Sequence, residues 1–141
     1  MNATAEHVSG SFRSVLSNGN RHGLVIDLPE EQEGENLGPT ALELTGMALA
    51  GCISTIWAKV ATNSRVPYRT VDVDLDLESG DGRAPFDRAT ATVRVESEAE
   101  PDKLERVLDK TMSACPVGRL FEEAGVTVDA DLVVDRKMAA A

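Results

Sequence analysis

Residues 39–63 read PTALELTGMALAGCISTIWAKVATN, and the fold is decided by what this stretch becomes. Pro39 suits the first turn of a helix, where its missing N–H costs nothing, and the residues after it favour helix apart from Gly46 and Gly51. A helix of this length spans roughly 35 Å. Leu42, Leu44, Met47, Leu49, Ile53, Ile56, Trp57 and Val60 point in nearly every direction around it, so it is expected to be the central element, surrounded by protein. Gly46, Ala48, Ala50 and Gly51 thin the middle of the helix, and a second helix is expected to cross there. The uncharged stretch from Leu44 to Ala58 is short for a membrane span and carries Thr45, Ser54, Thr55 and two glycines, so it reads as a buried helix of a water-soluble protein.

Strand patterns lie on both sides. Before the helix, Gly23 to Leu28 alternates with Leu24, Ile26 and Leu28 on one face; Gly10 to Leu16 can pair with it through a Ser17-Asn18-Gly19-Asn20 turn. Pro29 to Gly38 is acidic, contains glycine and lacks an apolar period, as an exposed loop does. After the helix, Val71, Val73, Leu75 and Leu77 alternate with Asp72, Asp74, Asp76 and Glu78. Ser79-Gly80-Asp81-Gly82 turns the chain, and Ala89, Ala91, Val93 and Val95 form the inner face of a return strand whose Arg88 and Arg94 point outward, near the acidic row of the first strand. Pro101 to Ala114 is an amphipathic helix with Leu104, Val107, Leu108 and Met112 inward. Pro116 starts a shorter helix through Glu123, ended by Gly125, and Val126 to Val134 alternates as a last strand. Apart from Ala139-Ala140-Ala141 no low-complexity segment is present. The order ββ-α-ββ-αα-β implies one α+β domain over residues 1–141 with a mainly antiparallel sheet.

Composition narrows the function. A chain of 141 residues has the size of one domain, and 42% hydrophobic with 27% charged residues is ordinary for a globular protein. Fourteen Lys and Arg against 24 Asp and Glu give a net charge of −10, which repels nucleic-acid phosphates and anionic lipid, so neither nucleic acid nor membrane is an expected partner. The opening residues MNATAEHVSGSF lack the basic start and apolar core of a secretory signal; the expected location is the cytoplasm, with thiols reduced. His7 and His22 have no Cys or His at ligand spacing, so no metal site is expected, and no phosphate-binding loop, nucleophile elbow or dinucleotide fingerprint occurs.

The two cysteines stand out, Cys52 in the middle of the long helix and Cys115 just before Pro116. One reading is packing, since free Cys behaves as a small apolar residue and Cys115 extends the Leu104, Leu108, Met112 stripe. The other is a reactive thiol with a resolving partner, in which a thiolate attacks peroxide and its sulfenic acid condenses with the second thiol. Helix-dipole reasoning alone makes Cys115, at the entrance of the Pro116 helix, the lower-pKa thiol; Cys52 would need a cation.

Gly38-Pro39-Thr40-Ala41-Leu42-Glu43-Leu44, Ala48-Leu49-Ala50-Gly51-Cys52 and Ala114-Cys115-Pro116-Val117 together resemble the OsmC/Ohr superfamily, from about Ser11 to Val134. The resemblance implies an OsmC-like α+β fold with two main helices, the long Cys-bearing helix central in an intertwined homodimer. It also implies thiol peroxidase activity on organic hydroperoxides, with Cys52 attacking, Cys115 resolving, and a dithiol such as a lipoyl group as reductant, without metal, flavin or other cofactor. An Arg of the first hairpin serves the thiolate in active members; Arg13 is the best match and Arg21 the runner-up, and either also reads as an exposed arginine on a short strand. Active members carry a Glu ten positions before the attacking Cys, where this chain has Leu42, with Glu43 one place later. Glu43 is a candidate for that role or a first-turn acid serving the helix dipole; on a continuous helix it and Cys52 lie on roughly opposite faces. Leu42 favours a rival reading, a non-catalytic OsmC-like homodimer that holds a lipophilic small molecule.

Overall fold

A computed structural model describes residues 1–82 and 84–136; the Ala139 to Ala141 run lies outside them. The elements are β1 (Thr4–His7), β2 (Ser14–Ser17), β3 (Gly23–Ile26), α1 (Ala41–Asn63), β4 (Thr70–Glu78), β5 (Arg88–Glu96), α2 (Pro101–Ala114), α3 (Pro116–Glu123) and β6 (Thr127–Asp135), with a 3-10 turn at Glu30–Gln32. The chain divides into two compact units, Met1–Met47 and Ala48–Ala141.

In the first unit β1, β2 and β3 form an antiparallel sheet in that order, with Val15 opposite Val25 and Leu16 opposite Leu24. Strand β1 has no counterpart in the sequence reading, because TAEH is exposed at every position and carries no apolar alternation. The segment after β3 is more ordered than its acidic composition implies. Asp27, 3% exposed, accepts the N–H of Leu28 at 2.9 Å and of Leu37 at 3.2 Å, closing the loop around one buried carboxylate. Gly38 presses on the Val25 carbonyl, where any side chain would collide. Helix α1 begins one step later than expected. Leu44 N–H donates to the Thr40 carbonyl, so Thr40 is the cap and Pro39 lies outside.

In the second unit β4 and β5 pair antiparallel over their full length, while β6 runs parallel to β5 on its other side. The sheet is therefore mixed, and the parallel pair is bridged by the α2–α3 crossover that such a pair requires. Ala89, Ala91, Val93 and Val95 of β5 are fully buried, as the alternation requires of a central strand. Leu49, Ile53, Trp57 and Ala61, spaced by four, form the buried stripe of α1 and join β5 and the α2 residues Leu104, Val107 and Leu108 in one apolar core. Trp57 and Tyr68 meet edge to face at 5.0 Å, and Phe86 stacks with Phe121 at 6.4 Å. Arg94 reaches Asp74 at 2.9 Å, as the outward charges suggest, whereas Arg88 pairs with Asp129 of β6.

Two expectations for α1 are not met within a single chain. The helix is not covered on every side within the chain, since Leu42 is 46% and Met47 57% exposed. Nor does another backbone press on Gly51, where an added Cβ would meet nothing within 4 Å. By length and mean hydropathy α1 could cross a membrane, a property the core helix of a water-soluble fold shares.

Candidate functional site

The second unit brings the two thiols together from positions 63 apart. Cys52 lies on α1 between the buried Leu49 and Ile53 and beside the exposed Gly51, and is itself partly buried. Cys115 is placed by its neighbour. Pro116 lacks an N–H and pushes the preceding residue out of the helical region, so Cys115 is extended (φ −72°, ψ 108°), ending α2 and capping α3. In that position its sulfur accepts the Gly118 N–H at 3.3 Å, and its carbonyl takes the Arg119 N–H at 3.1 Å.

The Cys115 thiol donates to Cys52 Sγ across 3.0 Å, well beyond the roughly 2.05 Å of a disulfide, and both cysteines are free. Burial, first, and then the hydrogen bond and charge interaction with Cys52 push Cys115 up from 9.0 to about 11, against the lowering pull of the Gly118 and Val117 amides. This corrects the helix-dipole expectation. The amides at the start of α3 do act on Cys115 in the expected direction, but desolvation of a sulfur only 2% exposed outweighs them. Burial thus favours the protonated form of Cys115, whose thiol faces Cys52.

The remaining predicted residues lie in the first unit. Glu43 forms a capping box: its carboxylate accepts the Thr40 N–H at 2.7 Å, while Thr40 Oγ1 accepts the Glu43 N–H at 3.1 Å. That is the structural role weighed for it above, and α1 is continuous from Ala41 to Asn63, which keeps Glu43 about two and a half turns from Cys52. Arg13, half-buried just before β2, pairs with Glu35 at 2.5 Å, and its buried Nε has no partner. Arg21 occupies the exposed β2–β3 turn at φ 70°. Sequence reasoning missed Glu35, which nothing distinguishes from its acidic loop neighbours. It also missed Gly118, whose position three residues after the capping Cys115 was a usable signal. Among the described residues, no three His, Cys, Asp or Glu side chains are grouped to hold a metal ion.

The family model for OsmC-like proteins matches residues 34–131. The chain belongs to the OsmC-like family. Solved OsmC-like structures share its fold at low identity. An OsmC-like protein from Mycoplasma pneumoniae is 12% identical with a TM-score of 0.82, covering 94% of this chain and 95% of that one. An organic hydroperoxide resistance protein OsmC from Legionella pneumophila is 16% identical with a TM-score of 0.65, covering 95% of each chain. The organic hydroperoxide resistance protein OhrB of Bacillus subtilis is 15% identical with a TM-score of 0.61, covering 95% of this chain and 96% of that one. No curated protein sequence matches the chain.

Proposed function

We propose that this OsmC-like protein is a cytoplasmic, homodimeric, thiol-dependent reductase of organic hydroperoxides. The observation that carries the reading is the Cys52–Cys115 pair, two free thiols 3.0 Å apart in which the buried one donates to the partly buried one. Cys52, as thiolate, attacks the terminal oxygen of ROOH; the O–O bond breaks, ROH leaves after taking a proton, and Cys52 becomes a sulfenic acid. Cys115 then loses its proton and attacks the Cys52 sulfur, water departs, and a disulfide joins them. A dithiol such as a lipoyl group returns two electrons.

Arg13 is assigned the cation that keeps Cys52 charged and orients peroxide, on the strength of its place in the family pattern and of its buried Nε, which is left unpartnered. A second copy of the chain is assigned to the exposed Leu42 and Met47 of α1, apolar surface that an isolated protomer leaves in water.

The test is stopped-flow oxidation of the reduced protein by cumene hydroperoxide and by hydrogen peroxide, followed by mass spectrometry. Rapid oxidation, faster with the organic peroxide and ending in a Cys52–Cys115 disulfide, supports the reading; full turnover by Cys52→Ser would overturn it.

One observation favours a second reading, a non-catalytic binder of a lipophilic molecule. Leu42 stands where active members have an acid, and it is exposed on an apolar stretch of α1. That reading expects Cys52 to react no faster than a free thiol and a lipophilic compound to appear in native mass spectra of the purified protein.

A further inference from the structure

The two sulfurs of the pair are not equivalent, and the difference bears on how a disulfide between them would be reopened. Thiol–disulfide exchange depends on which sulfur the incoming thiolate can reach and on how well the departing sulfur carries charge. Cys52 is partly exposed on α1, whereas Cys115 is 2% exposed at the α2–α3 junction. Cys115 accepts a backbone hydrogen bond at sulfur, from Gly118 N–H at 3.3 Å. Access therefore selects Cys52 as the sulfur attacked and leaves Cys115 to depart, with the Gly118 amide offsetting part of the cost of its charge.

We infer that the reductant attacks Cys52, that the mixed disulfide forms there, and that Cys115 is the leaving thiolate, received by the Gly118 amide. This rests on the peroxidase reading for its physiological setting, and its geometry stands on the Cys pair alone. One thiolate of the dithiol attacks Cys52 Sγ, the S–S bond breaks, and its electron pair goes to Cys115 Sγ. Cys115 then takes the proton of the reductant's second thiol. The thiolate so formed attacks the reductant sulfur of the mixed disulfide and expels Cys52 as thiolate. The reductant leaves as a cyclic disulfide, two electrons having passed to the protein. The end state is the arrangement seen here, a protonated Cys115 facing Cys52.

The elevation of Cys115 to about 11 opposes its departure as a thiolate, and burial, its first cause, persists in the mixed disulfide. Two of its three raising causes are a hydrogen bond and a charge interaction with Cys52. Both change once the Cys52 sulfur is bound in a mixed disulfide, while the Gly118 and Val117 amides remain. Gly118 also leaves room for the test, since an added Cβ would meet Cys115 Sγ at 3.5 Å and Leu49 Cδ1 at 3.9 Å, ordinary contact distances.

The experiment starts from protein oxidised by diamide, so that it does not depend on peroxide chemistry. Glutathione is added, the reaction is quenched with acid inside the first turnover, free thiols are blocked with N-ethylmaleimide, and the peptides are mapped by mass spectrometry. The expected product carries glutathione on Cys52 and N-ethylmaleimide on Cys115, in roughly tenfold or greater excess over the reverse. Glutathione mainly on Cys115, equal amounts on both, or no diamide disulfide at all would overturn the inference. Gly118→Pro removes the amide donor and is expected to slow reduction by dithiothreitol roughly tenfold, the loss typical of one hydrogen bond to a charged group. Gly118→Ala keeps the donor and the rate; slowing by Gly118→Ala to the same extent would overturn the amide's part. A protein inert to hydroperoxide that still gives the Cys52 adduct would sink the peroxidase reading and leave this one standing.

Discussion

Arg13 holds the Glu35 carboxylate at 2.5 Å with one terminal nitrogen, while its Nε lies buried without a partner. An acid from the loop after β3 thus occupies this arginine, and Glu43 is engaged with the Thr40 amide instead. Arg13→Ala is expected to slow the oxidation of Cys52 by cumene hydroperoxide by at least roughly tenfold, the loss of one charge-assisted contact. Arg13→Lys should recover little, because a point charge does not replace the planar fork. Stopped-flow rates for the two variants check this, and an unchanged rate in Arg13→Ala removes Arg13 from the chemistry.

Glu43→Ala is expected to cost about 1 kcal/mol of stability through loss of the capping box, with Thr40→Ala costing a similar amount. Urea melts measure both. Hydroperoxide oxidation of Glu43→Ala should match the parent protein; a large fall in rate at unchanged stability would return Glu43 to the catalytic set.

Stability should also depend on Cys115 at alkaline pH. The folded protein holds this proton more tightly than the unfolded chain does, so the contribution is complete below about pH 9 and is lost as pH rises toward about 11. The loss is about 2–3 kcal/mol at most. Reduced wild-type protein should therefore lose more stability between these pH values than Cys115→Ala does, as read from denaturant midpoints.

Asp27 ties both ends of the segment that carries Glu35. Asp27→Ala leaves the Leu28 and Leu37 amides without their acceptor and is expected to cost about 1–3 kcal/mol. Hydrogen exchange at Leu37 should accelerate strongly, while that of β5, in the other unit, should change least.

Alkylation distinguishes the thiols directly. Limiting iodoacetamide at neutral pH should label Cys52 first, because Cys115 is 2% exposed and retains its proton. Peptide mapping gives the order, and prior labelling of Cys115 would contradict the site geometry.

Much of the fold is legible where the pattern is local. The alternation of β4, the proline starts of α2 and α3 and the inner face of β5 all follow from side-chain period and backbone chemistry within one element. The parallel pairing of β5 with β6 leaves no such mark, because it depends on what the α2–α3 crossover brings alongside. Strand β1 was hidden for the opposite reason, having no buried face to impose a pattern. At the site, the cysteine motifs point to both thiols, but their mutual geometry and the raised pKa of Cys115 depend on burial by distant residues. The helix dipole is visible in sequence and desolvation is not, which is why a local argument lowers the Cys115 pKa where burial raises it. The Arg13–Glu35 pair is likewise a product of loop conformation, set by Asp27 and not by any motif.

The Cys52–Cys115 separation also bears on the lifetime of the oxidised chain. A bond between positions 63 apart would close a loop long enough to remove about 4 kcal/mol of chain entropy from the unfolded ensemble. Each turnover would then pass through a form that melts at higher temperature than the resting dithiol. A shortage of reductant would accumulate protein at its most heat-resistant and least reactive, so the cell's reducing supply would govern how long each molecule survives as well as how fast it works.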